Sequence, residues 1–418
     1  MIITVLFGVL ILAIALGTPI GMALISSTAF SCITADVPLP VVAQKLVTSN
    51  DSFPLMAIPL FVFAGSIMSD GGVSKRLVDL ADACVGWITG GLGIVANLAG
   101  IFFSAISGSS AATSAAVGTI MLPEMEKRGY DREFSTAIVA ASGQTGIIIP
   151  PSVTMVVYGV IAGVSVKELF SGGIVPGLLM GISMCIVTYL ISRKKGYSGT
   201  AFKGFRSVGR SFCKAIWGLL MPVIILGGIY GGVFTPTEAA AVAVLYGLIV
   251  GKFIHKEMTT ASFIHILEDS IISSATIMII MNAAGLFSWM LTRERIPVLI
   301  ANMFISLTDN PIIFLMLINA LLLIVGMMLN PSAAVTILAP ILVPVALGFH
   351  INPVFFGVLM VCNLAIGSLT PPVGTGLFVA STISGVPIER VARASVPFMA
   401  VLVADLVVLT LVPGLVMY

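Results

Sequence analysis

Charged side chains are scarce: Asp, Glu, Lys and Arg make up 9% of 418 residues, against about a quarter in a soluble globular chain. Too few are present to cover a water-facing surface. With 58% hydrophobic residues and a mean hydropathy of +1.15, lipid must be the solvent. Cysteine is also sparse, and Cys32, Cys84, Cys185, Cys213 and Cys362 are odd in number and scattered. No CxxC or His/Cys cluster occurs, which argues against a disulfide framework or a thiolate metal centre; these are small apolar packing residues. His255, His265 and His350 are isolated near segment ends. GxxxxGK[ST] is missing, so no ATPase resides in this chain, and the lack of HExxH and GxSxG argues against an intramembrane protease. Met1 to Leu16 has no basic start and no small-residue cleavage site, and reads as a retained span. A net charge of +2 identifies no partner, and no nucleic-acid partner is expected.

What is present is a succession of apolar runs near the roughly 20 residues that span a bilayer. They cover 2–16, 19–35, 54–69, 91–122, 134–163 and 170–191, then 216–233, 236–254, 265–290, 311–347, 353–384 and 394–416. The basic stretch Ser192–Lys214, with seven Lys or Arg and no acid, divides them six and six. This gives a first repeat over 1–191, a linker over 192–214 and a second repeat over 215–418. Gly17-Thr18-Pro19-Ile20 in the first half corresponds to Phe234-Thr235-Pro236-Thr237 in the second. The fourth segment of each half, 91–122 and 311–347, is broken by a small polar tip: Ser107-Gly108-Ser109-Ser110 and Leu329-Asn330-Pro331-Ser332. The fifth, 134–163 and 353–384, is broken by a double proline: Gly146-Ile147-Ile148-Ile149-Pro150-Pro151 and Gly367-Ser368-Leu369-Thr370-Pro371-Pro372.

Matching broken helices in two halves are the mark of a secondary transporter and of its binding site. If the fourth segments are re-entrant hairpins, each half crosses five times and the second half runs inverted. The fold class expected is an all-α polytopic membrane protein of two inverted repeats, each with a re-entrant helical hairpin and a broken transmembrane helix. With the linker in the cytoplasm and both termini outside, sixteen Lys or Arg fall inside and four outside (Lys45, Lys167, Arg293 and Arg295), as the positive-inside rule requires.

The breaks also suggest chemistry. Asn330 followed by Pro331 is an N-cap with proline at N1, and Ser109 or Ser110 can cap the first tip. Half-helix N-termini offer free N–H groups and a positive dipole end to an anion. Half-helix C-termini offer carbonyls to a cation. Pro150 and Pro371 cannot continue the preceding helix, so nearby carbonyls lack helix bonds and need protein, water or an ion. The bland alternative is close packing by small residues and a plain proline kink. Thr235-Pro236-Thr237-Glu238 reads as a capping box, so Glu238 is structural. Asp405 lies inside the last apolar run, either a proton site or a helix-pairing residue. Val73–Trp87 is amphipathic and suits the membrane surface beside the first hairpin. Trp87, Trp217 and Trp289 sit near segment ends as interfacial anchors.

The run Ile229-Tyr230-Gly231-Gly232-Val233-Phe234-Thr235-Pro236-Thr237-Glu238-Ala239-Ala240 resembles the signature of the large, DctM-like membrane subunit of tripartite ATP-independent periplasmic (TRAP) transporters. Ser107–Ser110, Ile149-Pro150-Pro151-Ser152 and Thr370-Pro371-Pro372-Val373-Gly374 fit the same family, and the likeness covers essentially the whole chain. The resemblance implies an elevator-type importer of a small organic anion, a carboxylate, driven by sodium, in the bacterial inner membrane. It implies a small four-helix membrane subunit as a separate chain and a soluble periplasmic substrate-binding protein, with no organic cofactor and no metal beyond sodium. Carried over, one sodium site uses Ser107, Ser110, Gly146, Ile149 and Pro150. The second uses Gly326, Gly367, Thr370 and Val373. The substrate region takes in Ser109, Ser110, Thr145, Asn330, Pro331, Ser332 and Thr370. The competing readings are a stand-alone sodium/dicarboxylate symporter, which the TPTEAAA run disfavours, an intramembrane enzyme, and a passive channel.

Overall fold

The computed structural model describes residues 2–49, 51–201 and 204–417; Lys203 of the basic linker is outside them. All regular elements among these residues are helical. The first half contains α1 (Ile2–Ala15), α2 (Ile20–Thr34), α3 (Pro40–Thr48), α4 (Ala57–Met68), α5 (Ser74–Val85), α6 (Gly91–Ser107), α7 (Ser110–Lys127), α8 (Arg132–Gly143), α9 (Val153–Ala162) and α10 (Val166–Lys195). The second contains α11 (Phe205–Tyr230), α12 (Pro236–Ile249), α13 (Thr260–Arg293), α14 (Ile296–Leu307), α15 (Pro311–Met328), α16 (Pro331–Gly348), α17 (Pro353–Gly367), α18 (Thr375–Ser384) and α19 (Ile388–Leu411). Eight helical stretches among the described residues are long and apolar enough to cross a membrane. The basic stretch is mostly helix, because α10 continues through Lys195 and α11 begins at Phe205.

Each break falls at a residue that ends or starts a helix for a stated reason. Gly108 stops α6 in the left-handed conformation (φ 64°), open to glycine without Cβ strain. Ser109 then caps α7, its hydroxyl accepting from the Ala112 N–H. Asn330 caps α16 by accepting from the Ser332 N–H at 3.0 Å, with Pro331 at N1. The double prolines part α8 from α9 and α17 from α18, and both Pro–Pro bonds are cis. Thr235 and Glu238 form the expected capping box, the Thr235 N–H donating to Glu238 Oε2 at 2.8 Å.

The hairpins and broken helices pack with α10 and α19 into one bundle, against a layer made of α1, α2, α4, α11, α12 and α13. The layer is interleaved: α12 of the second half lies along α4 of the first, and α2 of the first lies along α13 of the second. The two halves of the sequence are therefore not two separate bodies. The amphipathic α5 buries Leu77, Val78, Leu80 and Ala81, exposes Lys75 and Asp79, and rests on the first hairpin. Its counterpart α14 rests on α16, a helix the sequence reading left as a connection. α1 and α2 have only 14 and 15 residues. A Cβ on Gly21 would meet Ile279 and Ile280, so α2 starts against the middle of α13.

Contacts between distant segments agree with the inverted order. On the side assigned to the cytoplasm, Arg76 pairs with Glu257 (2.8 Å), His255 Nδ1 donates to the Gly71 carbonyl (2.7 Å), and Arg132 donates to the Ser384 carbonyl (2.7 Å). On the other side, Lys167 donates to the Tyr230 carbonyl (3.2 Å), and Lys45 and Arg293 both lie over Trp289. Residues assigned to one side meet residues of that side. Single cysteines at the exposed positions Arg206 and Arg295, in a background without native cysteine, should therefore react with an impermeant maleimide from opposite membrane faces. Labelling of both from one face would contradict the topology.

Candidate functional site

The two tips meet. Ser107–Ala112 of the first and Asn330–Ala333 of the second line one cavity of about 420 Å³, with Thr154 of α9 between them. The Thr154 and Ser332 hydroxyls are hydrogen-bonded at 3.0 Å. The opposite wall comes from the other layer, through Ile20, Gly65, Ser66, Ser273 and Thr276. The cavity thus lies on the seam between bundle and layer, and among the described residues its lining contains no Asp, Glu, Lys or Arg. Its polar groups are hydroxyls and helix starts. The N–H groups of Ser110, Ala111, Thr154 and Ala333 donate to no group among the described residues. A set of free N–H donors at three helix N-termini suits an anion.

Behind each tip the broken helix is tied to it. The Gly108 carbonyl accepts from the Val153 N–H (3.3 Å); the Met327 carbonyl accepts from the N–H groups of Val373 (3.2 Å) and Gly374 (3.1 Å). Ser107 shares a hydrogen bond with Thr113 (2.8 Å), and Ser104 shares one with Thr145 (2.6 Å). Gly146 packs against the Thr113 hydroxyl and the Ser109 carbonyl so closely that a Cβ would meet them at 2.6 and 2.5 Å. Ser107 and Gly146 therefore meet through Thr113 at the first tip, where Ser107 and Ser110 both line the cavity; Ile149 and Pro150 follow Gly146 in the same break. Gly326 and Gly367 touch backbone to backbone behind the second, next to Thr370 and Val373. Among the described residues no hydrogen bond ends on the carbonyls of Gly146, Ile149, Pro150, Gly326, Thr370 or Val373, whereas the Gly367 carbonyl accepts from the Thr370 N–H (2.9 Å).

Not every expected substrate residue reaches the cavity. Thr145 is buried behind the first tip on Ser104, and Thr370 belongs to the second break rather than to the cavity wall. Conversely, Thr113, Thr154 and the wall residues Gly65, Ser66, Ser273 and Thr276 were not singled out from sequence. A hydroxyl four residues after a cap was the available signal for Thr113. Asp405 is 7% exposed; Ser183 of α10 donates to its Oδ1 at 3.0 Å, and Oδ2 accepts from no described group. Ser183 and Asp405 are 222 residues apart, the same offset that relates Asn97 to Asn319 and Thr188 to Thr410. Those residues form two equivalent bonds, Asn97 to Thr188 (2.8 Å) and Asn319 to Thr410 (2.9 Å). The Asp405 contact therefore joins equivalent positions of the two repeats.

From residue 7 to 415 the sequence matches the family described as "Tripartite ATP-independent periplasmic transporter, DctM component". The chain belongs to this family. Among TRAP relatives, the isethionate TRAP transporter permease DctMQ of Oleidesulfovibrio alaskensis is 44% identical over 99% of this chain, which spans 66% of that protein's length. The C4-dicarboxylate TRAP transporter large permease DctM of Pseudomonas aeruginosa is also 44% identical, over 89% of this chain and 87% of its own. In fold this TRAP component is similar to the Alcanivorax borkumensis YdaH transporter, with a TM-score of 0.67 at 16% identity over 90% of this chain and 88% of the other.

The glycine contact at the second break gives a stability test. A Cβ on Gly367 would lie 2.7 Å from the Gly326 Cα, so Gly367→Ala must part α15 from α17, at about 1–3 kcal/mol. A thermal-shift measurement should show a clear loss in melting temperature for Gly367→Ala and none for Gly8→Ala, whose Cβ would meet nothing within 4 Å. Equal melting temperatures for the two would contradict the contact.

Proposed function

We propose that this permease imports a small organic anion together with sodium by an elevator movement of the bundle against the layer, the scaffold, and that it receives the anion from a periplasmic binding protein. The observation that supports this best is the meeting of two hairpin tips in one uncharged cavity on the bundle–scaffold seam. The anion sits between the tips, held by the N–H groups of Ser110, Ala111, Thr154 and Ala333 and by the Ser109, Ser110 and Ser332 hydroxyls. Sodium binds where each tip meets its double-proline break, next to the anion. Ser107 and Ser110 with the carbonyls of Gly146, Ile149 and Pro150 serve one ion; Gly326, Gly367, Thr370 and Val373 serve the other.

The absence of Lys and Arg from the cavity gives sodium its role. An anion between two positive helix ends gains further from a cation nearby, and the same ion satisfies carbonyls that cost several kcal/mol each when left bare in a bilayer. By linkage, sodium raises anion affinity and the anion raises sodium affinity. Movement along the seam is favoured by what crosses it. Lys167 reaches the Tyr230 carbonyl at the surface, the Thr336 hydroxyl donates within its own helix to the Ser332 carbonyl (2.6 Å) and meets across the seam only the Met281 sulfur at 3.6 Å, and Gly65 lets the scaffold pass against the Ser107 backbone. The small membrane subunit packs beside the scaffold. The relatives carry different anions by name, isethionate and C4-dicarboxylate, so the head group recognised here is a carboxylate or its sulfonate equivalent, and the binding protein makes much of the choice.

In proteoliposomes holding this chain, the small subunit and the loaded binding protein, uptake should follow an inward sodium gradient and nearly vanish without the binding protein. Thr370→Ala and Ser110→Ala should each raise the sodium concentration for half-maximal uptake about fivefold, one lost ligand being worth roughly 1 kcal/mol. Robust uptake by the lone chain would favour a stand-alone symporter. Uptake that ignores sodium and falls only when a proton gradient is collapsed would overturn the sodium assignment and leave Asp405 as the coupling candidate.

A further inference from the structure

Gln144 opens the 3-10 turn Gln144–Ile147 that leads into the first double proline, yet its side chain ends in the second break. Its Oε1 accepts from the Ser368 hydroxyl at 2.5 Å, the shorter of two contacts open to that single proton (the other is the Ala365 carbonyl at 2.8 Å), and its Nε2 donates to the Ala140 carbonyl at 3.1 Å. Ser368 is the C-cap of α17, directly after Gly367, and its own carbonyl accepts from the Gly376 N–H at 3.0 Å. Gly376, at the start of α18, leaves the space that the Gln144 amide fills, since a Cβ there would collide with Nε2. Both residues are buried, Gln144 at 2% and Ser368 at 0% exposed. A primary amide is costly in a bilayer interior unless paired. Here it is held at both ends and links the two broken helices, 224 residues apart in sequence.

We infer that Gln144 and Ser368 are positioning residues that couple the two sodium sites, so that ion binding at one break raises affinity at the other. The inference rests on the sodium reading given above. Gln144 precedes Thr145 and Gly146, which pack on Ser104, Ser109 and Thr113 of the first tip. Ser368 lies between Gly367 and Thr370 of the second site. An ion that draws in the Gly146 carbonyl fixes the turn carrying Gln144, and Gln144 fixes the cap of α17 through one short hydrogen bond. Neither side chain needs to touch an ion, and neither lines the anion cavity.

The test is the sodium dependence of uptake by the complete reconstituted system, with Ser368→Ala, which removes one hydroxyl, and Gln144→Met, which keeps the side-chain length. The native protein should respond with a Hill coefficient near 2, and both variants should fall to near 1, with a half-saturating sodium concentration raised at least about fivefold. The double variant should be no worse than the worse single one, because both remove the same bond. If the variants lose maximal rate or melting temperature but keep the native Hill coefficient, the pair is merely structural and the inference is overturned. If Gln144→Met does not fold, Ser368→Ala alone decides between these outcomes. A native protein without sodium dependence would overturn the sodium reading itself, and that result is visible before any variant is made.

Discussion

A bilayer offers a bare backbone carbonyl nothing to bond to, and this chain interrupts four of its apolar segments at matching places in its two halves. The rest of the architecture is organised around that liability. Both tips are pressed onto the double-proline breaks, with Gly108 bonded to Val153 and Met327 bonded to Val373 and Gly374. The carbonyls still without a donor among the described residues, those of Gly146, Ile149 and Pro150 and of Gly326, Thr370 and Val373, belong to the two breaks and the end of α15. The proposed sodium ions meet that need, and the proposed anion meets the complementary one, the free N–H groups at the starts of α7, α9 and α16.

Small residues make this geometry possible where it matters. Gly326 and Gly367 bring α15 and α17 into backbone contact, and Gly146 brings the first break onto Ser109 and Thr113. Gly65 extends the principle across the seam, where a side chain would strike the Ser107 backbone. In a membrane such close approach replaces the hydrophobic drive that holds soluble helices together. The interleaving of α2 with α13 and of α12 with α4 joins the two halves into one layer, the one taken as scaffold in the proposed movement.

The breaks were legible in the sequence because each needs residues that do little else: Asn330 before Pro331, Ser109 after Gly108, and paired prolines after a glycine. The capping box at Thr235 and the amphipathic α5 were legible for similar reasons, each being a local pattern. What stayed hidden was tertiary. Ser66, Ser273 and Thr276 are hydroxyls on apolar helices, indistinguishable by sequence from packing residues. α14 is an apolar stretch between Arg293-Glu294-Arg295 and Asp309-Asn310, and nothing in its order says that it lies on α16 rather than linking two spans. That Gln144 reaches Ser368 depends on the two halves packing face to face, which no spacing rule encodes. The interleaving of the scaffold is likewise invisible to a reading that follows the chain in order.

The central claim is that cations hold the two breaks together, and hydrogen–deuterium exchange of the purified complex tests it most directly. Adding sodium, with potassium as the control, should slow exchange in peptides covering 140–157 and 364–380 and in both tips, while leaving the scaffold helices unchanged. Equal exchange at the breaks in sodium and in potassium would contradict the account.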